Sequence, residues 1–530
     1  MRWSMDTVRE ALALAAAGTP AGAMPGEPSG AEAVGEPGAL AFTGIGTDTR
    51  TLQPGMLFVA LKGERFDAHD FLAEAAEKGA IAAVVERVPE DAPTVLAYIE
   101  VPDSLVALGQ LGRYRRRRLT ARVCAITGTN GKTTTKDLAR AVLSTCYRVH
   151  ATAGNLNNQI GTPLTLLSVA DDVDVIVAEV GTNAPGEIAR LRDIVEPDAV
   201  IITNVAEGHL EGLGTLEGVL HEKTALLEAL DAVHGFAVVG DTPAALAERS
   251  RRLASRVRVA GMSERADEDL RATAVRLNED GAVRFDWRGR EVALPYRGRH
   301  NALLALLALG LAESWDVDLD AAIAALARVE PQKMRNELHR YGSLRVIADC
   351  YNANPPSVRA AVDLLRSLPG EQRKVLILGT MKELGSESGA LHREVAEEAA
   401  EAEFDLIVAT GEFAAAFEPY RTRLGERLLV LDDAVTAFPA IAERLSGDET
   451  VLLKGSRGVA LERLLPLLQA HFGGVDERDS AGSAAEAGGS GVAGKGKPAS
   501  ASSSQSATRR GRSARRSRSS SPVDRQGEDG

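Results

Sequence analysis

Short apolar runs alternate with segments of helical spacing along most of this chain. The runs at 56–61, 80–85, 123–126, 174–180, 199–204, 344–348, 374–378, 405–409 and 451–453 read as buried strands. Each is short, aliphatic or β-branched, and bounded by polar or glycine-containing turns. Segments 7–17, 73–76 and 137–143 carry helical spacing, and 302–311 is a very apolar helix. Strand and helix in alternation predict an α/β protein with mainly parallel sheets. Shifts in this rhythm divide the chain into units at 1–118, 119–330 and 331–474. Within the first unit, 18–36 is rich in Gly, Pro and Ala and reads as a loose insertion. The third unit, with four strands and helices between them, is expected to be Rossmann-like. From 475 to 530 the chain turns to Ser, Ala, Gly and Arg with few apolar residues, too few to support a core, and is expected to be disordered.

Composition agrees with a soluble globular protein: 530 residues, 45% apolar and 25% charged. Aromatics are only 4%, so the cores must rest on Leu, Val, Ala and Ile. Net charge is −13; the stretch from Asp476 onward holds 10 basic and 7 acidic residues, leaving −16 on the remainder. That balance argues against nucleic acid as a partner of the folded body. The arginines at 509–518 and the run Arg113 to Arg118 are the only local hints of it, and both read more plainly as solvated segments. Cys124, Cys146 and Cys350 have no metal or redox spacing and suit a reduced, cytoplasmic protein. The N-terminus lacks the apolar core of a signal peptide, and 302–311 is too short to cross a bilayer, so no membrane insertion is expected.

The chemistry concentrates after the strand at 123–126. Thr127-Gly128-Thr129-Asn130-Gly131-Lys132-Thr133-Thr134 leads from that strand into a helix. Glycines let backbone approach an anion, and the amides of a helix start face it. Lys132 is spaced to reach outer phosphates and Thr133 to hold Mg²⁺. The longer phosphate-loop pattern would place a glycine at 126, where this chain has Ile126. Glu179 falls at the carboxyl end of the next strand, where open parallel sheets bind ligands. His209 follows the strand at 199–204 as a candidate second metal contact, although a lone loop histidine is ordinarily a surface residue. Lys223 is expected to open a long helix, ordinarily on a solvated face. Asp48-Thr49-Arg50 and Lys62 could clasp a diphosphate, with turn chemistry as the plainer reading. Residues 349–357 and 454–458 are polar caps on strand ends of the third unit.

Taken together these motifs resemble the Mur ligase family, over nearly everything from Thr43 to His471. The glycine loop resembles the family's ATP loop. Residues 154–163, 349–357, Glu383-Leu384-Gly385 with 391–394, and 454–458 resemble stretches of its dipeptide-adding branch. The branch that adds diaminopimelate carries Asp-Asn-Pro-Arg in its third domain, and this chain has none. The resemblance implies a UDP-binding α/β domain, a central P-loop ATPase domain and a Rossmann-like third domain. It implies ATP-dependent joining of D-alanyl-D-alanine to UDP-N-acetylmuramoyl-tripeptide through an acyl phosphate, for peptidoglycan synthesis, by a monomer. Gly128, Thr129, Asn130, Gly131, Lys132, Thr133 and Thr134 would bind ATP. Asn301 would meet adenine, Arg335 the γ-phosphate and Asp349 the ribose. Thr133, Glu179, His209 and Lys223 would serve Mg²⁺, Lys223 as a carbamate formed with CO₂. Thr49, Arg50 and Lys62 match the UDP site, and Asn155, Asn157, Asn158, Asn352 and Asn354 are further expected substrate contacts. Two departures stand out: Leu304 where the family helix carries a second Asn, and Thr380 where it carries Asp before Met. The alternatives left open are a family member that adds a single amino acid, a nucleotide-binding homologue without catalysis, and a nucleic-acid-binding NTPase.

Overall fold

The computed structural model describes residues 2–16, 40–63 and 66–473. The expected loose insertion at 18–36 and the expected disordered segment 475–530 lie outside the described residues. Three mainly parallel sheets follow one another along the chain. The first has strands Ile45–Gly46, Leu57–Val59, Ala82–Val85 and Ala97–Glu100 in that order, all parallel. Leu57, Val59, Ala82 and Val84 face one core; Phe58, Ala83 and Val85 face the other. Burial on both faces is why these strands read as unbroken apolar runs.

The middle sheet has six parallel strands, ordered Val257–Ala260, Phe236–Gly240, Ala199–Ile202, Arg122–Thr127, Val175–Glu179, Val149–Ala151. Its central strand again splits its residues, Cys124 and Ile126 to one side, Val123 and Ala125 to the other. An antiparallel sheet of Thr273–Leu277, Ala282–Trp287 and Arg290–Arg297 follows, which the sequence pattern does not distinguish. It leads into the helix Asn301–Ser314, whose residues 301–312 are all buried. That helix packs on Lys132–Leu143 and so sits directly behind the glycine loop. Each buried leucine there contributes roughly 1.5–3 kcal/mol, which lets a core poor in aromatics hold.

The third sheet is Glu337–Tyr341, Leu344–Asp349, Thr450–Lys454, Lys374–Leu378, Leu406–Thr410, Leu428–Leu431. Five strands are parallel, and the edge strand Glu337–Tyr341 is antiparallel. The strands Leu428–Leu431 and Glu337–Tyr341 are additions to the four expected from sequence. No helix among the described residues is long and apolar enough to cross a membrane.

The basic run has a structural role. The helix Ser104–Arg117 ends in it, and its guanidiniums meet carboxylates: Arg113 and Arg117 with Glu196 at 2.9 and 2.6 Å, Arg115 with Asp171 at 2.7 Å, Arg116 with Asp198 at 3.0 Å and Arg118 with Glu10 at 3.2 Å. Cations at a helix C-terminus also suit its dipole. The run fastens this helix to the middle sheet's flank, which leaves little of it for nucleic acid.

Candidate functional site

The glycine loop is built as a cradle. Gly128 has φ +148°, and a Cβ there would lie 1.8 Å from Thr203 Oγ1. Gly131, at φ +82°, caps the helix Lys132–Leu143, and its Cβ would fall 2.7 Å from Leu304 Cδ2. Only glycine fits both positions. The loop is pinned from the neighbouring strand. Thr129 N–H donates to Asn204 O (3.0 Å), Asn130 N–H to Asn204 Oδ1 (3.1 Å), and Thr203 Oγ1 to Asn130 O (2.5 Å). Thr129 Oγ1 accepts from Ala206 N–H at 3.0 Å, and Thr134 is buried behind it. Lys132 Nζ turns back onto the loop, donating to Gly128 O (2.8 Å) and Thr129 O (3.3 Å). Burial pulls its pKa below the usual lysine value, while Glu179 opposes the shift. A loop of this form, with an ammonium held beside it, suits a polyphosphate.

Glu179 ends its strand 2% exposed. Its Oε1 accepts from Thr133 Oγ1 (3.2 Å) and Asn157 Nδ2 (2.8 Å). Its Oε2 is buried and finds no hydrogen-bond partner among the described residues. A hydroxyl and an unsatisfied carboxylate oxygen are the ligand types Mg²⁺ takes when phosphate and water fill its other positions. Asn157 is fixed by Gly181 N–H, which donates to its carbonyl at 2.7 Å. Asn158 Oδ1 accepts from Gly161 N–H at 2.9 Å in the turn before the helix Gly161–Leu167, and Asn155 is exposed nearby in the chain.

Lys223 corrects its expectation twice. It lies in the last turn of the helix Leu216–Thr224 instead of opening a long one, and it is 0% exposed instead of solvated. Its Nζ has no hydrogen-bond partner among the described residues. Burial drives its pKa well below the lysine value, with Lys132 adding to the shift. Glu222, next to it, is occupied in accepting from Gly186 N–H and Ile188 N–H, both at 2.7 Å.

His209 takes a different course. At φ +57° it precedes the helix Leu210–Leu213, and its Nδ1 meets Glu383 Oε2 at 2.9 Å. Among the described residues no group of three or more His, Cys, Asp and Glu is placed to hold a metal.

The third sheet closes the site. Arg335 Nη2 donates to Thr133 Oγ1 (3.2 Å). Asn354 and Asn130 exchange carboxamide hydrogen bonds at 2.9 and 3.1 Å, while Asn354 also caps the helix Pro355–Ser367. Asp349 pairs with the buried Lys454 at 2.7 Å, and Lys454 also donates to Asn352 O (2.9 Å). Asn301 Nδ2 donates to Arg297 O (2.7 Å) and Gly298 O (3.3 Å), which ties the start of its helix to the preceding strand and turn. Beside it a cavity of about 710 Å³ is lined by Met262, Ala272, Val275, Arg299, His300 and Asp363, among others. Thr49, Arg50 and Lys62 sit apart on the first sheet. Arg50 folds onto Asp48 (2.6 Å) and holds that carboxyl below its usual range, Thr49 is buried in the same turn, and Lys62 is exposed.

Three family models match this chain in order: "Mur ligase family, catalytic domain" at 41–116, "Mur ligase middle domain" at 126–312 and "Mur ligase, glutamate ligase domain" at 334–457. The UDP-N-acetylmuramoyl-tripeptide–D-alanyl-D-alanine ligase of Escherichia coli is 37% identical over 442 residues, 81% of this chain and 94% of that one. The chain belongs to the Mur ligase family. The same-named ligase of Bacillus subtilis is 35% identical over 427 residues, 80% of this chain and 92% of its own. A crystal structure of MurF from Acinetobacter baumannii superposes with TM-score 0.77 at 30% identity, covering 89% of this chain and 99% of that one. MurF from Thermotoga maritima in complex with ADP superposes at 0.70 with 27% identity, covering 81% and 97%.

In this Mur ligase several groups around the loop escape the sequence pattern. Asn204 stands two residues past its strand, in a run whose apolar character hides it. Glu383 and Tyr351 lie within stretches that resemble the family but carry no chemical signal of their own. The two departures from the family pattern have local explanations. Leu304 packs its methyls over Gly131 and belongs to the core beneath the loop. Thr380 Oγ1 accepts from Glu412 N–H at 3.0 Å, stabilising the turn after Gly411.

Proposed function

We propose that this Mur ligase joins D-alanyl-D-alanine to UDP-N-acetylmuramoyl-tripeptide at the expense of ATP. What supports the reading most is that Arg335, carried by the third unit, reaches Thr133 on the glycine loop of the second. A triphosphate seated on that loop would be met from both sides. The relatives that match over most of their length carry the name of this dipeptide-adding reaction.

A carboxylate does not condense with an amine in water without activation. An oxygen of the tripeptide's terminal carboxylate attacks the γ-phosphorus of ATP, ADP leaves, and an acyl phosphate forms. The amine of D-alanyl-D-alanine then adds to the acyl carbon, loses a proton, and phosphate departs with the C–O bond electrons. In the first step the protein's task is positioning and charge compensation. Lys132 would leave the loop carbonyls for the outer phosphates. Arg335 would offset charge on the transferring group. The loop amides would hold the inner phosphates, and the cavity beside Asn301 and His300 would take the adenine, with Asp349 toward the ribose. Thr133 and Glu179 would hold Mg²⁺, which when bound polarises the phosphoryl oxygens. Contact of Asn354 with Asn130 sets the third unit against the loop, where it would exclude water from an acyl phosphate that hydrolyses readily.

Lys223 would react with CO₂. Burial lowers the pKa of this amine and so favours the free lone pair that attacks the CO₂ carbon; loss of a proton would leave a carbamate anion able to serve as a second metal contact. Thr49, Arg50 and Lys62 would hold the UDP diphosphate once Arg50 exchanges Asp48 for it. Asn155, Asn157, Asn158 and Asn352 would line the path of the peptide. His209 would contribute through the ring nitrogen not engaged with Glu383.

The test is phosphate release with ATP, Mg²⁺ and UDP-N-acetylmuramoyl-tripeptide across a panel of amines. Release is expected with D-alanyl-D-alanine, with much less for single amino acids. Turnover with a single amino acid in preference to the dipeptide would overturn the reading.

A further inference from the structure

Arg335 sits in a turn of unusual backbone. Met334 before it has φ +59° and Asn336 after it φ +53°. Two adjacent-but-one residues with side chains in the left-handed region persist only where surroundings over-determine them. Here the surroundings do. Met334 N–H donates to Glu337 Oε2 (2.9 Å), Tyr351 N–H to Met334 O (3.2 Å), and Arg297 Nη1 to Asn336 O (3.0 Å). Gln332 Nε2 ties the start of the turn to Asp137, on the helix that begins at Lys132, at 2.6 Å.

The turn aims the guanidinium, and one ring receives it. Arg335 Cζ lies 4.1 Å from the centroid of Tyr351. With one face against that ring, the guanidinium's hydrogen-bonding edge is left for the loop. Nη2 reaches Thr133 Oγ1, but Nε is buried and has no partner among the described residues. An N–H left without an acceptor in a buried place is costly unless a ligand supplies one. An anion between Thr133 and Arg335 would do so.

We propose that Tyr351 is a positioning residue for the reaction. It fixes the plane of Arg335 so that the guanidinium recognises the terminal phosphate of ATP and not the diphosphate of ADP. The proposal rests on the reading of Arg335 as a γ-phosphate contact. Its chemistry is that of an aromatic face holding a cation, with the tyrosine hydroxyl dispensable. The strained turn and the ring act on the same side chain, one from the backbone and one from the guanidinium face.

The test is equilibrium binding of ADP and of a non-hydrolysable ATP analogue, each with Mg²⁺, to the full chain. The readout is the ratio of the two dissociation constants. Tyr351→Leu is expected to lower the preference for the analogue roughly tenfold, with ADP affinity retained, and Tyr351→Phe to keep the preference within about twofold. Tyr351→His, with a weaker ring face, should fall between. In an Arg335→Ala background Tyr351→Leu should have no further effect. An unchanged ratio in Tyr351→Leu while Arg335→Ala lowers it overturns the positioning role and leaves the Arg335 reading standing; equal loss of both ligands does the same. An equal further drop in the Arg335→Ala background also overturns it. A ratio unmoved by Arg335→Ala itself removes the underlying reading and the proposal together.

Discussion

Replacing Lys223 by methionine should make the protein more stable and inactive at once. Methionine has nearly the length of lysine, so the cavity stays filled while the amine is removed. In the native chain that amine is 0% exposed and has no hydrogen-bond partner among the described residues. Leaving one buried polar group unsatisfied costs about 1–3 kcal/mol, and the variant escapes that cost. Lys223→Met is therefore expected to gain about 1–3 kcal/mol in urea unfolding carried out in CO₂-free buffer. Bicarbonate supplied with Mg²⁺ should narrow the gap from the other side. A carbamate would form on the native amine alone, and CO₂ at tenfold its dissociation constant would stabilise the wild type by about 1.4 kcal/mol. The variant should not respond. A Lys223→Met protein less stable than the wild type, with no bicarbonate effect on either, would show that the amine is already satisfied and takes up no CO₂.

Lys132→Ala should abolish ADP formation while leaving UDP-substrate affinity largely intact, because the Lys132 side chain bonds to carbonyls of the glycine loop and Thr49, Arg50 and Lys62 lie apart from it; loss of UDP-substrate binding in titration calorimetry would contradict this. Lys223→Ala should lose Mg²⁺ affinity and turnover, both partly restored by a short-chain carboxylate that occupies the vacated space; no restoration of either speaks against a carbamate. His392 provides a pH signature away from the site. Its Nε2 accepts from Met381 N–H (3.0 Å) and its Nδ1 donates to Ser388 O (2.8 Å), so the folded state holds it neutral, and burial lowers its pKa from the usual 6.5. The unfolded chain takes up the proton first. Stability is therefore unaffected above pH 7 and falls as pH drops below 6.5, by up to about 1.4 kcal/mol per unit. The stability difference between wild type and His392→Gln should shift by that slope between pH 6.5 and 5; a constant difference would mean that the ring takes up its proton equally in the folded and unfolded chains.

Much of the fold was legible because its strands are buried on both faces. Runs such as Val123 to Ile126 show no polar alternation, and the turns that bound them are polar. Strand ends then located Glu179, Asp349 and Lys454, since α/β sheets display side chains there. The glycine loop was legible for a steric reason: Thr203 and Leu304 leave no room for a Cβ at Gly128 and Gly131. Lys223 was not, since nothing in the sequence near it marks a buried lysine, and only tertiary packing hides it. The antiparallel sheet was obscured by its charged, half-exposed residues, although the stretch Ala282–Trp287 does alternate buried and exposed positions. The partnership of His209 with Glu383, and that of Asn130 with Asn354, join residues distant in the chain, and local pattern carries no trace of either.

In the proposed reaction ATP activates the tripeptide's own carboxyl group. The direct measurement supplies UDP-N-acetylmuramoyl-tripeptide labelled with ¹⁸O in its terminal carboxylate, together with unlabelled ATP, Mg²⁺ and D-alanyl-D-alanine, and follows the label into released phosphate. One ¹⁸O in each phosphate, formed in step with the UDP-linked pentapeptide, is the predicted result. Phosphate free of label, or pentapeptide formed without labelled phosphate, would rule out an acyl phosphate.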